Sequence, residues 1–300
     1  MNRVITQTEP TYAMLEKSLY ALKGRYPFME LKSIGQSVLH RELYAVKIGS
    51  GRENVLFAGG FHAQEWLTSL LLLTFIEDVL SEYEKNGELR GMNARELFRN
   101  RSLTVVPIVN PDGVEIVLSG IQSAGHLAGS VKKISGGNLS NWNSNANGVD
   151  LNHNYDAGFA ELQEMERKAG ITEPSPRRYS GSYPHSEPET QAIVNLCKKE
   201  NFTHALAFHS QGEEIYWHYG GRTPERSRLM GQVLSAVSGY SLAEPSGMAS
   251  HGGFKDWFIE YFSRPGFTIE IGRGKNPLPI SQLPSIYGQL LEMLLVAVVL

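Results

Sequence analysis

Apolar residues recur along this chain with two different periods. Over residues 10–24 they fall at helical spacing, which predicts an amphipathic helix. Residues 29–36 and 41–48 change to alternating, β-branched patterns that suit a hairpin. Asn54-Val-Leu-Phe-Ala-Gly-Gly60 is a short apolar run closed by glycines, which predicts a buried strand and a turn. Residues 66–85 read as a long helix, and Leu103-Thr-Val-Val-Pro-Ile-Val109 as a second buried strand. Residues 120–185 are rich in Gly, Ser and Asn and carry little periodicity, which predicts functional loops. Ser186-Glu-Pro-Glu189 has the form of a capping box and predicts a helix to about Lys199. Ala205-Leu-Ala-Phe208 and Phe267-Thr-Ile-Glu-Ile271 are further buried strands. The C-terminal LLEMLLVAVVL reads as a packed terminal helix, too short to span a bilayer. Strands alternating with helices predict α/β layers around a mostly parallel or mixed sheet.

Composition narrows the class. The chain has 300 residues, 41% of them hydrophobic, enough for one large core without a second domain. The expectation is a single domain over 1–300, with 1–28 as its N-terminal helical extension. A net charge of -3 with scattered basic residues gives no nucleic-acid signature. The single cysteine, Cys197, excludes an internal disulfide and falls at a helical core position. The N-terminal MNRVITQTEPTYAML has no apolar run of signal-peptide length, so a cytoplasmic protein without a membrane partner is expected. Nothing in the pattern sets an oligomeric state.

Candidate chemistry sits at the strand ends. His62-Ala-Gln-Glu65 follows the first buried strand, where ligand sites of open α/β sheets gather. An imidazole and a carboxylate three residues apart can address one ion, although His-x-x-Glu alone is a weak signal. His209 closes another buried strand and precedes Ser210-Gln-Gly212. Two His and one Glu with an open fourth position form a catalytic zinc arrangement. The bland alternative for His209 is a hydrogen-bonded loop histidine. Glu270 lies inside an apolar strand, where an unpaired carboxylate is costly to bury. Either a buried salt bridge or a general base beside an activated water would explain it.

These four residues, in this order, resemble the zinc carboxypeptidase family. Its motifs are matched by Gly60-Phe-His-Ala-Gln-Glu65, Asn110-Pro-Asp-Gly113, Gly148-Val-Asp-Leu-Asn152, Ala207-Phe-His-Ser210, Gly252-Gly-Phe-Lys-Asp-Trp257 and Thr268-Ile-Glu270. The resemblance covers roughly residues 30 to 300. It implies a mixed, mostly parallel eight-stranded sheet sandwiched between helices. It also implies one Zn2+ per chain on His62, Glu65 and His209, with Glu270 as general base. Asp150 would orient His62 and Asn152 would line the pocket on the leaving side. His209-Ser-Gln-Gly-Glu-Glu-Ile-Tyr-Trp217 and the segment from Arg264 to Pro279 are similar to the γ-D-glutamyl-diaminopimelate endopeptidases of bacterial cell-wall peptides. That branch implies a small muropeptide as substrate.

Three positions depart from the family pattern. His153 stands where most members have an arginine that clamps the substrate's terminal carboxylate. Asn143 stands about where the oxyanion arginine would be, and Met248 where the mobile pocket tyrosine would be. These departures weigh against ordinary C-terminal exopeptidase action. Lys255 falls at the position that lines the family's specificity pocket, where an ammonium would attract a substrate carboxylate. The alternative is a solvated lysine on a helix face. The leading expectation is hydrolysis of the γ-D-glutamyl–diaminopimelate bond. An ordinary carboxypeptidase, a small-molecule amidohydrolase and a catalytically weakened zinc- or ligand-binding member are the competing readings.

Overall fold

The structure is a computed structural model, and it describes residues 3–244 and 247–300. In chain order the first elements are α1 (Tyr12–Arg25), β1 (Glu30–Gln36), β2 (Glu42–Ile48), β3 (Glu53–Ala58) and α2 (Leu67–Lys85). A small ribbon, β4 (Glu88–Leu89) and β5 (Met92–Asn93), and the short α3 (Ala94–Leu97) lead to β6 (Arg101–Val106) and α4 (Pro111–Ser119). Then come α5 (Ala128–Ser135), α6 (Phe159–Lys168), α7 (Pro188–Lys199) and β7 (Phe202–His209). The chain ends with β8 (Glu214–Tyr216), α8 (Glu225–Ser238), β9 (Ser241–Ala243), α9 (Phe254–Phe262), β10 (Gly266–Glu270) and α10 (Leu283–Val299).

Eight strands form one sheet in the order β1-β2-β6-β3-β7-β10-β8-β9. The hairpin β1–β2 is antiparallel, as the short connection between the two strands requires. The four central strands β6, β3, β7 and β10 run parallel, and β8 joins β10 antiparallel. The sheet is therefore mixed and mostly parallel. Its central strands are buried on both faces, which is why they read as unbroken apolar runs. Alternate residues divide between the two layers. Phe57, Phe208 and Ile269 face α2 and α10, whereas Leu56, Ala58, Ala205 and Ala207 face α7 and α9. Leu15, Leu19 and Leu22 of α1 enter the same core as α2, so the N-terminal helix packs with the body of the sheet.

Three expectations need correction. The stretch 120–185 holds α5 and α6 and two 3₁₀ turns, Ile121–Leu127 and Leu151–His153, and is not loop throughout. Both helices bury little: α5 buries Val131, and α6 buries Phe159, Leu162 and Glu166. Each is short, 8 and 10 residues, and is flanked by Gly-, Ser- and Asn-rich turns. Ser186 and Glu189 form no capping box either. α7 has Glu187 at its N-cap with no side-chain cap bond, and the Glu189 carboxylate instead accepts from Val38 N and Asn145 Nδ2. Lastly, Ile280–Val299 is 20 residues with a mean hydropathy of 1.4, long and apolar enough by those measures to cross a membrane. Here it is a core helix: Leu290, Met293, Leu294 and Ala297 are buried against the central sheet and its helices.

Candidate metal centre and catalytic cavity

The carboxyl ends of β3, β7 and β10 lie side by side, and each delivers one part of the site. β3 ends at Ala58 and turns through Gly59-Gly60 into His62. Gly60 has φ +62, and a Cβ there would stand 2.8 Å from Ser69 Oγ, so the turn needs glycine. Asn110 braces this turn: its N–H donates to Gly60 O and its Nδ2 to Phe61 O. Thr68 Oγ1 accepts from Gly60 N and donates to Glu65 O, which locks the entry of α2. β7 ends on His209, and parallel register sets Glu270 of β10 directly beside it. Phe61 stacks on the His209 ring, with centroids 5.1 Å apart, and fixes its plane.

Three ligand-type side chains therefore converge. His62 Nδ1 is 2.8 Å from Glu65 Oε1, and His209 Nδ1 is 2.9 Å from Glu65 Oε2. The two Nδ1 atoms stand 3.3 Å apart. Ligands of a tetrahedral zinc, at bonds of about 2.0–2.1 Å, are about 3.3 Å from one another. Two imidazoles and a carboxylate with this spacing fit such an ion. His62, Glu65 and His209 are also the group of metal-ligating side chains found among the described residues. His62 Nε2 donates to Asp150 Oδ1 at 3.0 Å, which leaves Nδ1 free as a lone-pair donor. Asp150 is held in turn by Arg178 N at 2.9 Å.

The electrostatics favour a cation at this point. Burial opposes charge on His62, yet the neighbouring Glu65 and Asp150 raise its pKa well above the ordinary imidazole range. Burial likewise raises the Asp150 carboxyl, but His62 and then His153 outweigh it and hold it low. Glu270 behaves oppositely. Burial, then Glu65, and also Glu214 push its pKa well above the carboxylate range. Glu214 is its antiparallel register partner on β8.

A cavity of about 350 Å³ opens beside these groups. His62, His209 and Glu270 line it, together with Asn152, His153 and Lys255. Asn152 Oδ1 accepts from Phe254 N and so ties this wall to the start of α9. Lys255 is 4% exposed, which overturns the solvated-lysine alternative. Its Nζ donates to His218 O at 2.8 Å, bonds to Asp256 and stands over the Tyr219 ring. Asn143 is not among the lining residues; it is buried, with its N–H on Pro176 O and its carbonyl accepting from Ala63 N. Met248 sits half-buried in a 3₁₀ turn, Gly247–Ser250, whose Ala249 reaches the cavity. Sequence reasoning missed Asp256, Tyr216, Glu244 and Thr268, which also line the cavity. Asp256 was the findable one, since a buried lysine needs a counter-charge.

A parallel-centred mixed sheet with a His-Glu-His cluster and a carboxylate at its strand ends defines a metallopeptidase of the zinc carboxypeptidase family. The chain belongs to that family, whose profile matches residues 15–292. It is 37% identical over 286 residues to γ-D-glutamyl-L-diamino acid endopeptidase 1 of Lysinibacillus sphaericus, covering 95% of this chain and 71% of that protein. Bovine carboxypeptidase A1 is 28% identical over 272 residues, covering 83% of this chain and 59% of that protein. Two solved structures share the fold. Thrombin activatable fibrinolysis inhibitor matches with a TM-score of 0.76 at 19% identity, covering 99% of this chain and 75% of that one. The murein-tripeptide amidase MpaA from Escherichia coli O157 matches with a TM-score of 0.56 at 23% identity, covering 92% and 94%.

Proposed function

We propose that this metallopeptidase hydrolyses the bond between γ-D-glutamate and meso-diaminopimelate in bacterial cell-wall peptides. The observation that carries this reading is the buried Lys255–Asp256 pair in the cavity wall. Diaminopimelate carries a carboxylate and an ammonium on its distal end, and a wall with both charges complements both. The kinship with a γ-D-glutamyl-L-diamino acid endopeptidase supports the same substrate class.

In this reading residues 1–300 act as one catalytic domain. His62, Glu65 and His209 hold one zinc ion, and Asp150 fixes the tautomer and ring plane of His62. When bound, zinc supplies Lewis-acid polarisation of a carbonyl and acidifies water. Glu270 takes a proton from the attacking water and returns it to the leaving amine. Glu270 stands in parallel register beside His209, next to the candidate ligands. Asn152 lines the pocket and accepts from Phe254 N, next to Lys255 at the start of α9. Asn143 contributes by shaping the loop beneath the site: its carbonyl accepts from Ala63 N beside His62.

The test is incubation of the purified protein with synthetic L-Ala-γ-D-Glu-diaminopimelate, followed by mass spectrometry. Release of L-Ala-γ-D-Glu and free diaminopimelate is expected. An intact tripeptide, with ordinary peptides losing C-terminal residues, would make the protein a standard carboxypeptidase instead.

A further inference from the structure

A polar segment lies against the metal site without lining the cavity. Residues 175–179 run beside residues 143–150 and are tied to them by main-chain bonds. Asn143 N and Ser144 N donate to Pro176 O at 2.7 and 3.1 Å, and Ser175 N donates to Gly148 O at 3.0 Å. Asp150 N donates to Tyr179 O at 2.8 Å. Both ends of this pairing reach His62. The Asn143 carbonyl accepts from Ala63 N, next to His62, and Asp150 Oδ1 accepts from His62 Nε2. None of residues 175–179 lines the cavity itself.

Two arginines follow Pro176. Arg177 and Arg178 are exposed, and among the described residues neither guanidinium has an ion-pair or hydrogen-bond partner. Other cations near the site are already taken: Arg273, past the end of β10, pairs with Glu213 at 2.7 Å, and Lys255 pairs with Asp256. Arg178 also holds φ +70. That left-handed backbone is strained for a residue with a Cβ and free for glycine. It is held from two sides. Arg178 N donates to Asp150 Oδ2 at 2.9 Å, and its carbonyl stands 3.2 Å from His153 Nδ1. Glycine would satisfy the same turn, so what the strain brings to this place is the guanidinium.

We propose that Arg178, seconded by Arg177, binds the free α-carboxylate of the γ-linked D-glutamyl residue on the acyl side of the scissile bond. This rests on the peptidase reading above and adds a subsite for the other half of the substrate. A γ-linkage leaves the glutamate α-carboxylate ionised, about 5 Å from the reacting carbonyl carbon when the chain between them is extended. The diamino acid fills the cavity, so the glutamyl half lies across His62 from it, where residues 175–179 border the site. The Arg178 main chain reaches His62 through a single carboxylate, that of Asp150. An arginine side chain spans about 6–7 Å, which brings its guanidinium within reach of the α-carboxylate. Its fork of N–H donors matches a carboxylate and stays charged at every working pH.

The experiment compares kcat/KM for L-Ala-γ-D-Glu-diaminopimelate and for the analogue whose D-glutamyl α-carboxylate is a carboxamide. Wild type should prefer the acid about tenfold or more, and the preference should shrink as ionic strength rises from about 0.01 M to about 1 M. Arg178→Gly keeps the backbone that the turn needs. It should fold, melt no lower than wild type and carry wild-type zinc, while the ratio falls to about one. Arg178→Lys should keep part of the preference, and Arg177→Gln should reduce it less than Arg178→Gly does. A wild-type ratio in Arg178→Gly would overturn the arginine subsite. So would equal cleavage of both peptides by wild type, which leaves the peptidase reading standing. Cleavage of neither peptide by zinc-loaded wild type would overturn that reading and the subsite with it. If Arg178→Gly does not fold, Arg178→Asn, which also tolerates a left-handed backbone, reads the same loss.

Discussion

Glu270 and His209 are register partners at the carboxyl ends of two adjacent parallel strands, β10 and β7. A candidate base and a candidate metal ligand are thereby placed side by side by main-chain pairing alone. His62 and Glu65 arrive from β3 on the other side of β7.

Purified protein should carry close to one zinc per chain. Removing one of three converging ligands, as in His62→Ala or His209→Ala, should weaken binding by more than the roughly 10–100-fold typical of outer-shell losses. Metal analysis after dialysis measures this. Unchanged zinc in both variants would remove the metal assignment.

Glu270→Gln preserves size but cannot accept a proton. It should retain zinc while kcat falls by about 10²–10⁴, the usual contribution of a general base. Near-normal turnover in a zinc-loaded variant would leave Glu270 with a structural role only.

The Lys255–Asp256 pair should set preference for diaminopimelate over lysine at the leaving position. Lys255→Met alone strands a buried carboxylate, so the clean variant is Lys255→Met with Asp256→Asn. Truncating such pairs costs about 2–5 kcal/mol, and the wild-type preference should be about tenfold or more. The double variant should lose most of that preference yet still cleave the lysine peptide. Equal kcat/KM on both peptides in the wild type would dismiss a charge-reading wall.

Glu189 gives a stability prediction away from the chemistry. Burial, then Asp112 and also Glu187, raise its carboxyl to about 8 from an ordinary value of 4.5. Its neutral form suits the fold. The associated stability is fully present below about pH 4.5 and is lost as pH rises through about 8. Glu189→Gln should flatten this loss and be more stable than wild type above that range, on the order of a few kcal/mol. Urea denaturation at several pH values reads the difference. Parallel pH profiles for the two proteins would argue that Glu189 stays ionised in the fold.

Much of the layout was legible from local pattern. Unbroken apolar runs marked β3, β6, β7 and β10, because strands buried on both faces have no polar alternation to show. The segments 29–36 and 41–48 do pair as the antiparallel hairpin β1–β2. His62, Glu65, His209 and Glu270 stood out as polar residues at or just beyond those runs, and the matching segments around them gave the family. Strand identity and the burial of apolar runs are encoded by spacing along a few residues, so sequence alone marks them here.

Tertiary structure decided everything that depends on neighbours distant in sequence. Parallel crossovers put β3 beside β7 and β7 beside β10, and no local period records that order. The same holds for Asn143, which falls outside the cavity lining, and for Lys255, which turned out buried against its own neighbour. Glu166 lies in the stretch whose sequence predicts loops, and only the packing of α6 brings its carboxylate to 3.8 Å from His153. A side chain's charge environment is fixed by which elements close over it, and that closure is set by global burial of the two sheet faces.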